Sequence, residues 1–167
     1  DKGLDASPIL GTVSTKISQQ ENSAELLERL TDMGSMLMLQ LLDGLQSGQV
    51  TAHEQSPHDV SYAHKITTDD ARINWAHPGL AVVRRIRAMS PAPGAWTMQG
   101  DERIKIGRAQ LTDITGIAPG EVRINDGDVL IGTASQAIEV LEVQRPGKTM
   151  APAKQWADSL RGKVVLA

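Results

Sequence analysis

Two periodicities divide this chain. Ile9, Val13 and Ile17 share one face of a Thr- and Val-rich stretch that reads as a strand over 9–17. Helical spacing follows. Leu26, Leu30, Met33, Leu37, Leu41 and Leu45 recur every three or four residues, one apolar stripe expected to pack into a core. Asn22-Ser23 offers an N-cap, and Glu25 and Glu28 stand where the helix dipole favours negative charge. Gly34-Ser35 interrupts the stripe, so the pattern predicts a kinked helix or two helices sharing one face, ended by Gly48. Thr51–Asp59 is polar, contains Pro57, and reads as a linker. Leu80, Val83 and Ile86, behind Pro78, mark a second helix that ends at Ser90-Pro91-Ala92-Pro93-Gly94.

Beyond Gly94 the period changes to two. Strands are expected over 95–98 and 103–112 around a Gly100-Asp101 turn. Ile104 and Ile106 have opposite parity to Ala109 and Leu111, and Gly107 between them reads as a β-bulge. Further strands fall at 120–124, 129–133 and 137–143. Asn125-Asp126-Gly127 is a strong hairpin turn. A closing helix is expected over 153–160, with Trp156 and Leu160 on one face. Short strands at regular spacing suggest a small barrel of OB type.

Composition changes this picture little; charge changes it more. The chain has no cysteine, which excludes disulfides and thiolate metal sites, and His53, His58, His64 and His77 form no ligand pair at helical spacing. No apolar run is long enough to span a membrane, and nothing reads as a signal peptide, so a cytoplasmic location is expected. The net charge of −3 is unevenly placed. Before Val60 only Lys2, Lys16 and Arg29 oppose nine acids, whereas the remainder carries a small basic surplus. The asymmetry points to two domains, the second with an anionic partner. Trp75, Trp96 and Trp156 could stack on bases, but with no Phe and one Tyr the better expectation is core or junction packing.

Three motifs carry a resemblance. Asp1-Lys2-Gly3-Leu4-Asp5-Ala6-Ser7-Pro8-Ile9-Leu10 resembles the Asp-x-Gly-Leu-Asp-Thr-Gly-Pro-Ile-Leu loop of the folate-dependent formyltransferases, with Ala6-Ser7 in place of Thr-Gly. Tyr62-Ala63-His64-Lys65-Ile66 and Ala71-Arg72-Ile73-Asn74-Trp75 are similar to the passage joining the two domains of the methionyl-tRNA formyltransferases, with Asn74 where Asp is usual. Ile86-Arg87-Ala88-Met89-Ser90-Pro91-Ala92-Pro93-Gly94-Ala95 resembles that family's Ile-Arg-Ala-x-x-Pro-x-Pro-Gly-Ala.

The resemblance implies an α/β portion over 1–59, the C-terminal end of a Rossmann-like formyltransferase domain with its linker. An OB-like small β-barrel that binds tRNA would follow over 60–167. It implies transfer of a formyl group from 10-formyltetrahydrofolate to the amino group of methionyl-initiator-tRNA, by a protein expected to be monomeric. Asp5 falls on a catalytic aspartate of the family. Gly3, Leu4 and Asp5 fall on its cofactor loop. The family's catalytic Asn and His lie upstream of this motif and are absent, so the chain reads as a fragment expected to be inactive alone. The candidates for tRNA contact are Lys65, Arg72, Arg84, Arg85, Arg87, Arg103, Lys105, Arg108 and Lys148. Of these, Arg103, Lys105 and Arg108 could form a row on one strand, and Arg72 and Arg87 could instead brace the domain junction. Two other readings remain: a formyltransferase acting on an amino-sugar nucleotide, and a free-standing nucleic-acid-binding barrel with no chemistry.

Overall fold

A computed structural model of the chain describes residues 5–56, 58 and 60–167. Contacts group them into two compact units, one of residues 5–19 and 25–65, the other of 20–24 and 66–167. Gly3, Leu4 and Pro57 lie outside the described residues. Among the described residues no helix is long and apolar enough to cross a membrane.

The first unit is built on one helix, α1 (Ser23–Gln46). Asn22 Oδ1 accepts from the Ala24 amide at its start. At its end Gly48, at φ +71, bonds back to the Leu45 carbonyl while Gln49 bonds to Gly44. That pair of bonds is a Schellman cap, and it requires the left-handed residue that Gly supplies. The helix is unbroken across Gly34-Ser35.

Two expectations are corrected here. The 9–17 segment is extended but is not a strand. Only Ile9 forms a bridge, exchanging backbone bonds with His53 (2.8 and 2.9 Å). A ladder needs a neighbour, and among the described residues none lies alongside the rest. The Met–Leu stripe was expected in a core, yet α1 buries no residue fully. Leu26, Met33, Leu37 and Leu41 are only half-buried, because a helix and an extended strap make too thin a layer to enclose them.

The second unit opens with a short 3₁₀ turn (Asp69–Ala71) and α2 (Gly79–Met89), begun by the Pro78 carbonyl. Helix α2 buries Val82, Val83 and Ile86, while Leu80 faces outward. The strands follow: β1 (Ala95–Gln99), β2 (Glu102–Leu111), β3 (Glu121–Asn125), β4 (Asp128–Ile131), β5 (Ile138–Gln144), β6 (Ala151–Pro152) and β7 (Val164–Val165). Helix α3 (Ala153–Ala157) is shorter than expected, with Leu160 just beyond it. The register of β2 against β5 shifts between Ile106 and Arg108, which makes Gly107 the bulge. Asp126 (φ +49) and Gly127 (φ +92) form the two-residue turn between β3 and β4, both in the left-handed region such a hairpin needs.

All strand pairings are antiparallel, in the order β1-β2-β5-β4-β3-β7. The tail closes this sheet. Val164 and Val165 pair with β3, Leu166 donates to the Gly120 carbonyl, and Ala167 exchanges backbone bonds with Met98 of β1 (2.8 and 3.0 Å). The interior holds Ile86, Ile104, Ile106, Ile131, Ile138 and Trp156.

Residues 60–66 are exposed and outside regular structure. Trypsin is therefore expected to cut first after Lys65 and leave a resistant piece beginning at Ile66. Mass spectrometry of the early digest checks this; first cuts inside Arg103–Val143 would contradict the two-unit layout.

Candidate functional site

The described part of the motif loop is held by the stretch from His53 to Gln55. Gln55 Nε2 donates to the Asp5 and Ser7 carbonyls, both at 2.8 Å, and the Ile9–His53 bridge lies next to these bonds. Asp5 sits at φ +55, a conformation that Asp adopts more readily than most residues because its short side chain can bond locally. Its carboxylate is exposed. Among the described residues of this loop the left-handed position is Asp5 and not Ser7, so Ser7 does not need the conformation that a Gly would supply there. Gln55 was not foreseen. Its only signal was a polar side chain in a stretch read as linker.

In the second unit, Trp96 is buried against protein on one edge and covered by cations. Its indole N–H donates to the Thr68 carbonyl (2.7 Å). The Arg103 guanidinium lies 4.2 Å from its ring centroid and that of Arg72 5.4 Å. Both arginines remain exposed. A guanidinium on an indole face is attracted by the ring quadrupole and held in a fixed plane, so its N–H groups are pre-oriented. Trp75 and Trp156 are buried as well, bonded to Thr97 Oγ1 (3.0 Å) and Gln99 Oε1 (2.8 Å). All three tryptophans are packing residues.

The remaining cations have different surroundings. Lys105 Nζ donates to the Pro93 carbonyl (2.8 Å), its stem lying over Gly94, where a Cβ would come within 2.9 Å. Arg108 lies 3.9 Å from Glu142. Arg85 donates to the Asp70 carbonyl and Arg87 to the Glu21 carbonyl, so both tie the chain ahead of them to α2. The Asp70 carboxyl is held below the usual carboxylate range, first by the Thr67 hydroxyl (2.7 Å) and then by the Thr67 amide. Arg84 lies on the outer face of α2 beside a shallow groove lined by His77, Leu80 and Met89. Lys65 and Lys148 are exposed. The strand row foreseen from alternation therefore exists as a row of backbone positions. Of its side chains, Lys105 is turned back to the backbone and Arg108 is paired with an acid.

A closed antiparallel sheet with small helices, entered through a Tyr-Ala-x-Lys passage, is the architecture of one domain class. The family described as "Formyl transferase, C-terminal domain" matches residues 65–161, and the chain belongs to it. Proteins similar to it include the methionyl-tRNA formyltransferase of Rhodococcus erythropolis, 42% identical over 96% of this chain and 52% of that protein. That of Mycolicibacterium vanbaalenii is 41% identical over 96% and 53%. The chain thus spans about half the length of these relatives and corresponds to their C-terminal part. Among solved structures, a variant of HypX from Aquifex aeolicus has the same fold over 95% of this chain, with a TM-score of 0.75 and 18% identity, and the match covers 30% of that protein.

Proposed function

We propose that this chain is the C-terminal part of a methionyl-tRNA formyltransferase, which moves a formyl group from 10-formyltetrahydrofolate to the amino group of methionyl-initiator-tRNA in the cytoplasm. The observation that carries this reading is the match, end to end, with half of each of several enzymes of that name. In this reading residues 1–59 complete a Rossmann-like catalytic domain, and 60–167 form an OB-like barrel that holds tRNA. The Ala71-Arg72-Ile73-Asn74-Trp75 passage favours this reading over a formyltransferase acting on an amino-sugar nucleotide.

The reaction makes three demands. A neutral amine attacks the formyl carbon, the resulting oxyanion needs donors, and the amine must lose a proton. This chain's contribution is the Asp5 carboxylate, positioned by Gln55 through the backbone, to accept or relay that proton. Gly3 and Leu4 would border the folate beside it. The tRNA needs cations away from the chemistry. Arg72 and Arg103 are the best prepared, because Trp96 fixes both guanidinium planes while leaving them open to a phosphate. Arg84, Lys65 and Lys148 would add unspecific attraction; Arg85, Arg87, Lys105 and Arg108 have partners within the fold and would contribute less.

The test is a filter-binding titration of tRNA at several salt concentrations. Arg72→Ala with Arg103→Ala is expected to flatten the log–log salt slope by about two units, roughly one per lost phosphate contact. Lys105→Ala with Arg108→Ala should change it by less. In the full-length enzyme the first pair should raise KM for charged tRNA more than it lowers kcat. Equal slopes for wild type and both double variants would remove this face from the tRNA surface.

A further inference from the structure

Trp96 carries two guanidinium groups, and no acid answers either of them. Arg103 lies 4.2 Å from the ring centroid and Arg72 5.4 Å, so the two cations stand less than about 10 Å apart, within one Debye length at 0.1 M salt. Among the described residues neither guanidinium makes a hydrogen bond or an ion pair. Acids close by in the sequence are engaged elsewhere: Asp70 accepts from Thr67, and Glu102 pairs with Arg145 (3.5 Å). The other arginines of this unit, Arg84 apart, are each bonded to a carboxylate or to a backbone carbonyl. Arg84 has no acid either, but it also has no ring to hold it.

The pair is fixed from behind. The indole N–H is bonded to the Thr68 carbonyl, and the Ile73 amide donates to the Trp96 carbonyl (2.8 Å), which sets Arg72 beside the ring. Arg103 is set by the register of β1 on β2, opposite Met98. A long side chain normally loses rotamer freedom when it grips an anion; stacking has already removed part of that freedom here. Two like charges held side by side and left unneutralised attract an anion of high charge. The guanidinium fork matches a carboxylate and a phosphate alike. Charge separates the two ligands: a carboxylate brings one negative charge, whereas a phosphate that is not esterified twice brings close to two. Its tetrahedral oxygens also serve donors that approach from different directions.

We propose that Arg72, Trp96 and Arg103 form a phosphate-selective site that free inorganic phosphate occupies by itself, and from which it displaces tRNA. Selection comes from the two guanidinium planes held on the ring and not from net charge, so lysines at positions 72 and 103 would keep the attraction and lose the preference. The displacement of tRNA rests on the reading under Proposed function; the phosphate site does not.

The chain carries its own controls, because Trp75 and Trp156 are buried and bonded to Thr97 and Gln99. Inorganic phosphate is titrated into the isotopically labelled chain at pH 7.5, with sodium chloride holding the ionic strength constant, and the three indole N–H resonances are followed by NMR. The Trp96 resonance is expected to move saturably, with half-saturation on the order of millimolar, while those of Trp75 and Trp156 stay in place. Arg72→Lys with Arg103→Lys should weaken this binding about tenfold or more. In filter binding at the same ionic strength, saturating phosphate should lower the tRNA affinity of the unsubstituted chain about threefold or more and leave that of the double lysine variant unchanged. A Trp96 resonance that does not saturate, equal saturation in the lysine variant, or all three indoles moving together would overturn the site and leave only a cationic face. Saturation at Trp96 with no loss of tRNA affinity would overturn the displacement, and with it the placing of tRNA on this face, while the phosphate site would stand.

Discussion

Replacing Asp5 by Asn in the full-length enzyme is expected to lower kcat for formyl transfer by a factor of about 10²–10⁴, with KM for both substrates little changed. The substitution isolates the carboxylate. Asn tolerates the left-handed conformation that Asp5 adopts at φ +55, and the Asp5 carbonyl can still accept from Gln55. The loop therefore keeps its path, and what is lost is the carboxylate proposed above to take the proton from the attacking amine. Asp5→Ala removes the same group and also strains the turn, so it should be at least as damaging. Gln55→Ala leaves the carboxylate but releases two carbonyls of the loop. It is expected to cost less, and mainly in kcat, as a positioning residue would. Single-turnover rates with methionyl-tRNA and 10-formyltetrahydrofolate distinguish these cases. An Asp5→Asn enzyme within threefold of wild type would take Asp5 out of the proton path.

The second large effect is on stability. Gly132→Ala is expected to destabilise the barrel by about 3–5 kcal/mol, lowering its melting temperature by roughly 15–30 °C. A Cβ at this position would stand 2.1 Å from the Ala118 carbonyl oxygen and 2.5 Å from that of Ile117. Both are backbone atoms and cannot swing aside as a flexible side chain can. Relief would break the bonds that Gly132 makes with its neighbours, its amide to the Glu121 carbonyl and its carbonyl to the Gly120 amide, both 3.0 Å. Those bonds hold the start of β3 against the end of β4. Gly100→Ala is the matched control for crowding, since nothing lies within 4 Å of its Cβ position. Its own φ of +56 adds a modest strain of about 1 kcal/mol. Thermal unfolding followed by tryptophan fluorescence should rank the two variants clearly, and equal melting temperatures would show that the 117–120 loop yields freely.

Much of this protein was legible in its sequence because the signals were local. The Asp126-Gly127 hairpin, the Gly107 bulge, the Asn22 and Gly48 caps of α1 and the burial of all three tryptophans each follow from a few neighbouring residues and the backbone conformations they permit. The motif residues around Asp5 and Tyr62 pointed to the family before any contact was known. Tertiary structure decided what depends on partners distant in the chain. Whether 9–17 pairs as a strand is set by the presence of a neighbouring edge, not by its own alternation. Whether the α1 stripe is core is set by the layer laid over it. Lys105 and Arg103 occupy equivalent outward positions on β2, yet one folds back onto Pro93 and the other lies on Trp96, because the chain brings a carbonyl to the first and an indole to the second. The closing of the sheet through Val164–Ala167 was beyond local reading for the same reason: Val164 and Val165 favour extended backbone, but so short a tail pairs only where β3 and β1 offer it free backbone groups.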